Sequence, residues 1–144
     1  MRFFLLIFAC TMFGALEAKK MLRGSPATRA KHLNNAFMAA YRKSGIDGVQ
    51  AYFDNNFYFK DFVGAHFTRA EYLDALRKGP KLVQLCWRSN GQQIAKLRKN
   101  PDGSANDLLI VEYYHFHVLY DLTFVEDNSL KGGYRWLKME PAVN

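Results

Sequence analysis

The spacing of apolar side chains changes period along the chain. Ala30, Leu33, Phe37, Ala40 and Tyr41 recur at three and four residues, which predicts an amphipathic helix from Pro26 to about Lys43. Ser25 stands where an N-cap is wanted, Pro26 at the first helical position, and Gly45 where the helix should stop. The next run, "IDGVQAYF", predicts a second, shorter helix through Ile46, Val49, Tyr52 and Phe53, and Asn55-Asn56 reads as a turn. From Phe57 the period becomes two. Phe57, Phe59 and Asp61 would share one strand face, and Tyr58, Lys60 and Phe62 the other. After Gly64, "TRAE" at Thr68–Glu71 fits a capping box, with Ala70, Leu73 and Leu76 as the apolar stripe and Gly79-Pro80 as the stop.

Beyond Lys81 the alternation predicts strands at roughly 82–89, 91–99, 107–119, 121–126 and 133–140. The region 107–126 reads as one long bent strand or two. "NPDGSAND" and "EDNSLKGG" supply the turn chemistry. Helices first and strands afterwards argue for an α+β fold, with helices covering one face of an antiparallel sheet.

The first eighteen residues change the picture. "MRFFLLIFACTMFGALEA" has a basic start, an apolar run and a small residue at its end, which reads as a signal peptide over 1–18. The chain is then expected to be secreted. A basic leader, 19–25, would precede one domain over 26–141. No later run is long enough to span a bilayer, so no integral membrane association is expected after cleavage. Cys10 lies in the signal, which leaves Cys86 unable to form an internal disulfide, and stability must come from packing. Arg2 and Glu17 cancel, so the net charge stays +7. The basic residues are scattered, which suits a solvated surface or an anionic partner such as lipid headgroups. No nucleic-acid motif occurs.

The order of elements, and the stretch "NNFYFKDFVGAHFTRAEYLDAL" above all, resembles the nuclear-transport-factor-2-like (NTF2-like) superfamily, including its SnoaL-like cyclases. Secreted nematode proteins of this kind are the similar subset. The resemblance implies a cone: a curved sheet wrapped around the long first helix, with two further short helices and an apolar cavity open at one end. It also implies that Asp61, in the aromatic strand, could face the cavity as a general base, with Tyr41, Tyr114 or His115 donating to a developing oxyanion. Relatives often pair through the convex sheet, so a homodimer through the sheet surface is a possible assembly.

The residues themselves temper the enzymatic reading. A strand-end acid such as Asp61 often caps the following loop. His115 and His117 would share a face if the strand ran through them, but zinc needs three or four ligands and only Asp121 and Glu112 lie near. No metal or other cofactor is therefore expected. Cys86, Ser89 and Ser104 carry no nucleophile signature. A cystatin-like protease inhibitor would fit the size, but its Gln-x-Val-x-Gly loop is missing. The preferred expectation is a secreted, non-enzymatic domain that binds an apolar small molecule or a protein partner. Phe37, Tyr41, Phe59, Asp61, Tyr114 and Phe116 are the expected ligand-binding residues, and Leu33, Phe57 and Leu73 join the core. The alternative is an isomerase, dehydratase or cyclase built on Asp61. Trp87 and Trp136 would serve the core or a dimer-facing sheet surface.

Overall fold

The computed structural model describes residues 24–79, 94–115 and 117–143. The expected signal and most of the leader, Cys10, the strand at 82–89, Cys86, Trp87 and Phe116 lie outside the described residues.

Helix α1 spans Pro26–Val49, opened by the Ser25 side chain, which accepts from the Thr28 N–H. Gly45 breaks it, at φ 63° and ψ −147°, a conformation that side chains with a Cβ avoid. The two expected helices are thus one element with a kink. A single 3₁₀ turn, Gln50–Tyr52, follows. Strand β1 then runs from Phe53 to Lys60, earlier than its aromatic alternation suggested. Asn55-Asn56 is accordingly not a chain reversal. The pair sits where β1 shifts register against its neighbour, between Phe53 and Tyr58, and the Asp54 carboxylate accepts from the Asn56 N–H. A bulge satisfies the same local turn chemistry without leaving the sheet.

Strand β2, His66–Thr68, leads into helix α2, Arg69–Lys78. Both halves of the capping box are present: Thr68 accepts from the Glu71 N–H at 3.3 Å, and Glu71 accepts from the Thr68 N–H at 2.8 Å. Leu73 and Leu76 face inward as expected. Ala70 does not; Tyr72 takes the third inward place, because it fills the gap between Phe53, Phe57 and Phe59.

The remaining strands are β3 (Ala95–Arg98), β4 (Leu108–His115), β5 (Val118–Glu126) and β6 (Tyr134–Pro141). Residues 107–126 are therefore two strands, joined by a tight hairpin. His117 adopts φ 66°, a left-handed value that His tolerates better than most residues. The strand ends before this turn, so His115 and His117 do not share a strand face; His115 pairs with Val118 across the hairpin.

Among the described residues the sheet has the order β2-β1-β6-β5-β4-β3. Four of its pairings are antiparallel, but β1 runs parallel to β6. The sheet is therefore mixed, at the place where a long stretch of chain separates the paired strands. A second register shift falls between Thr123 and Phe124. The two shifts lie on strands that flank the helix-covered centre, where a sheet must bend to follow a helix.

One face of this sheet packs on α1 and α2. Trp136 is its centre: its ring lies 5.1 Å from Phe53, 5.2 Å from Phe57, 5.5 Å from Phe124 and 6.5 Å from Phe37. Its indole N–H is satisfied by the Lys138 carbonyl at 3.0 Å, so burial leaves no donor orphaned. Trp136 is thus a core residue rather than part of a dimer-facing surface. Leu33 and Phe37 bring α1 into the same cluster. Each such side chain stabilises the fold by about 1.5–3 kcal/mol through burial.

Candidate functional site

The sheet has two dissimilar ends, and α1 runs between them. Arg29, near the start of α1, reaches Glu126 and the Tyr134 hydroxyl. Tyr41 lies twelve residues further on, a rise of about 18 Å. That matches the span of β5 from Glu126 back to Tyr120, roughly 20 Å. Tyr41 packs on the core from the later part of α1.

At the end of the sheet that holds Phe59 and Tyr120, Asp61 is fixed by its own turn. Its Oδ1 accepts from the Val63 N–H at 3.0 Å and from the Ala65 N–H at 2.8 Å, while its N–H donates to the Ala65 carbonyl. The acid thus shapes the β1–β2 connection. The Asp61 charge also acts on Tyr120, a buried residue on the inward face of β5. Burial, and after it the Asp61 charge, push the Tyr120 phenol above its ordinary value; a hydrogen bond with the Phe62 backbone partly offsets them. Phe59 lies 5.7 Å from Tyr120, 5.4 Å from Tyr72 and 5.6 Å from Phe67, on which it stacks. Phe59, Tyr41, Tyr113 and Val118 pack on the core while staying partly accessible. The arrangement is an aromatic end of the interior with two polar tips, Asp61 and Tyr120.

The candidates from the sequence scatter over this frame. Phe59 and Asp61 belong to this end, and Tyr41 packs on the core from α1. Phe37 is deep in the core, edge-on to Tyr52, Phe53 and Trp136. Tyr114 falls on the opposite sheet face from Leu109 and Val111 and is 70% exposed, which removes it from the expected core and from the neighbourhood of Asp61. Strand parity decides this: Tyr113, not Tyr114, is in phase with Val111. Of His115 only the backbone pairing is described. Tyr120 was not among the candidates. Its inward parity with Leu122 and Phe124 could have pointed to it, but nothing local places it beside Asp61.

A second feature is an open cleft of about 480 Å³ along β1, β2 and the start of α2, lined by both polar and apolar side chains, among them Asn55, Tyr58, His66, Phe67 and Arg69. Its strongest cation is already spent: Arg69 donates to the carbonyls of Gln50 and Phe53. Next to it, on the outer sheet face, Tyr58 donates to Glu140 at 3.0 Å and Lys138 pairs with Glu140 at 2.7 Å. Burial first, then Glu140, raises the Tyr58 phenol. No group of three metal-ligating side chains occurs among the described residues. No helix among them is long and apolar enough to cross a membrane.

No protein-family model and no curated protein matches this chain. Solved structures similar to it include an NTF-2 like protein of unknown function from Burkholderia xenovorans, at 8% identity over 83% of this chain and 85% of that one, with a TM-score of 0.35. A S. rosetta CaMKII hub is similar at 14% identity over 83% and 97%, with a TM-score of 0.43. An uncharacterised Caulobacter vibrioides protein with a cystatin-like fold is similar at 17% over 84% and 92%, also at 0.43. At these values nothing about chemistry or partners carries over to this chain.

Proposed function

We propose that this chain is a secreted, non-enzymatic NTF2-like domain that binds an apolar small molecule at the Phe59–Tyr120 end of its interior. The observation that carries this reading is the aromatic cluster there. Phe59, Tyr41, Tyr113 and Val118 join the core but are not closed off by it, and Asp61 and Tyr120 add two polar tips. Apolar walls with a few orienting polar groups are what small-molecule sites use. Secretion rests on the leader at 1–18.

Native mass spectrometry of the protein collected from culture medium tests both parts. The expected result is a chain beginning near Lys19 that carries an apolar adduct, with adduct occupancy reduced in Phe59→Ala. A chain that stays in the cells, or one that neither carries nor takes up an apolar molecule, would sink the reading.

The alternative, an isomerase, dehydratase or cyclase with Asp61 as base, draws on one specific observation: the Asp61 charge acts on the buried Tyr120 phenol, which could serve as its partner donor. Two backbone N–H groups already occupy Asp61 Oδ1, which leaves Oδ2 for proton abstraction. Asp61→Asn separates the readings. An enzyme loses turnover with binding kept, whereas a binding domain shows no turnover in either form.

A further inference from the structure

The charges around the Phe59–Tyr120 end are sorted by sheet face. The inward positions of β1, β4, β5 and β6 toward this end are Phe57, Phe59, Val111, Tyr113, Leu122 and Met139, and none carries a charge. The buried stripes of α1 (Ala30, Leu33, Phe37) and α2 (Tyr72, Leu73, Leu76) carry none either. Arg29 reaches inward only at the opposite end, where Glu126 holds it.

The charged strand residues lie on the outer face. Lys60 acts there on Glu140, which pairs with Lys138, and Glu112 pairs with Lys96. Asp121 stands between Glu112 and Glu140 in the same cross-strand row, so it adds negative charge to this end of the sheet. The His66 ring lies against Tyr58 on that face, and Arg42, Lys43 and His117 are exposed to water.

Asp61 is the exception to this sorting. β1 ends at Lys60, and Asp61 opens the turn that follows. Its Oδ1 accepts from the Val63 and Ala65 N–H groups, and no hydrogen bond or ion pair among the described residues uses Oδ2. The backbone of the next residue, Phe62, bonds to the Tyr120 hydroxyl, which ties this turn to the inward face of β5. A single carboxylate thus stands at the uncharged end of the interior.

We infer that the ligand of this end carries a hydrogen-bond-donating head without negative charge, that of a long-chain alcohol or amine, and that Asp61 turns away long-chain carboxylates. The inference rests on the reading of the site given above. A carboxylate head would leave water for a place with no cation among the inward residues and with a like charge at hand, and both cost free energy. A hydroxyl or ammonium head can donate to Asp61, and an ammonium gains the charge attraction as well. The net charge of +7 does not reverse this, because exposed charges further than about 8 Å away are screened at physiological salt. Selectivity of this kind comes from repelling the wrong ligand as much as from holding the right one.

Isothermal titration calorimetry of the whole chain with decanol, decylamine and decanoate at neutral pH tests it. These probes share one chain length and differ in head group. Decanol and decylamine are expected to bind about tenfold or more tightly than decanoate. The amide oxygen in Asp61→Asn still accepts from Val63 and Ala65, so the turn should persist, and the gap between decylamine and decanoate should shrink about tenfold. Phe59→Ala should weaken all three probes alike. The far-UV circular dichroism of both variants should match the parent, and the parent's own ranking decides the first point whether or not a variant folds. Decanoate binding as tightly as the others would overturn this inference and leave the binding site standing. So would a gap that Asp61→Asn leaves unchanged, since the discrimination would then come from elsewhere. Binding of none of the three, or binding indifferent to Phe59→Ala, would overturn the reading of the site and this inference with it.

Discussion

The two ends of the sheet are finished in opposite ways. At the β5–β6 hairpin, polar groups lock the chain. Arg135 binds Asp54 at 2.8 Å and Asp127 at 2.6 Å, Arg29 reaches Tyr134 and Glu126, and the Tyr52 hydroxyl donates to the Lys131 carbonyl. At the other end, Asp61 organises one turn, and aromatic and aliphatic side chains are left at the surface. The contrast separates two uses of side chains. The locked end spends its charges on fixing the fold. The open end leaves its apolar groups unburied, so they contribute little to folding stability.

Four substitutions would break or sharpen this contrast. Trp136→Ala removes the ring that both ends share, and should cost about 3–5 kcal/mol in urea unfolding, enough to erase most of the stability of such a domain. A smaller loss would mean the aromatic cluster is less tightly packed than its ring distances imply. At the locked end, Gly132 has φ 93°, and a Cβ there would lie 3.1 Å from Leu33 Cα and 3.0 Å from Ala36 Cβ. Gly132→Ala should therefore cost about 1–3 kcal/mol by the same measurement, through backbone strain and displacement of α1.

The third test uses acid. Burial alone would raise the Asp127 carboxyl, but hydrogen bonds from Ser129 and Arg135 outweigh it and hold the group below its ordinary value. A depressed folded-state pKa means that its stabilisation is fully present above the ordinary carboxylate range. It is lost as pH falls through that range toward the depressed value. Asp127→Asn should flatten this part of the stability–pH curve, read as urea midpoints from neutral pH downward. The effect at neutral pH should be modest, about 1 kcal/mol, because Arg135 is itself a third exposed. The fourth is the open-end control: Tyr114→Ser should change stability by no more than about 0.5 kcal/mol. A larger loss would show that Tyr114 is covered in the folded chain, which would remove it from the exposed tip.

Much of the scaffold was legible because its signals are local. The Ser25 and Thr68 caps and the Gly79 stop each depend on residues within one turn and appear as read, while Gly45 kinks the helix rather than ending it. The failures share a cause. Phe53 was assigned to a helix and Asn55-Asn56 to a turn, where pairing with β6 extends β1 through a bulge instead. The expectation that Tyr114 lines the interior fails on strand parity, since Tyr113 is in phase with Val111 and pairs with Tyr120. The site suffered most. Asp61 was recognised as either a loop cap or a cavity acid, and its hydrogen bonds are those of the loop cap; its neighbour Tyr120 lies 59 residues away and was not sought.

By itself the sequence determined where both α-helices start, where the second one stops, and that an α+β core rich in aromatic residues forms. Those choices follow from backbone hydrogen bonding and side-chain period, which act over a few residues. Only the tertiary structure decided that β1 lies parallel beside β6, that the Asp61 charge reaches the buried Tyr120, and that Phe62, Val63, Tyr114 and Val143 stand exposed at one end of the sheet. These are contacts between distant segments. They are set by how the whole sheet closes on α1, and no local pattern encodes them.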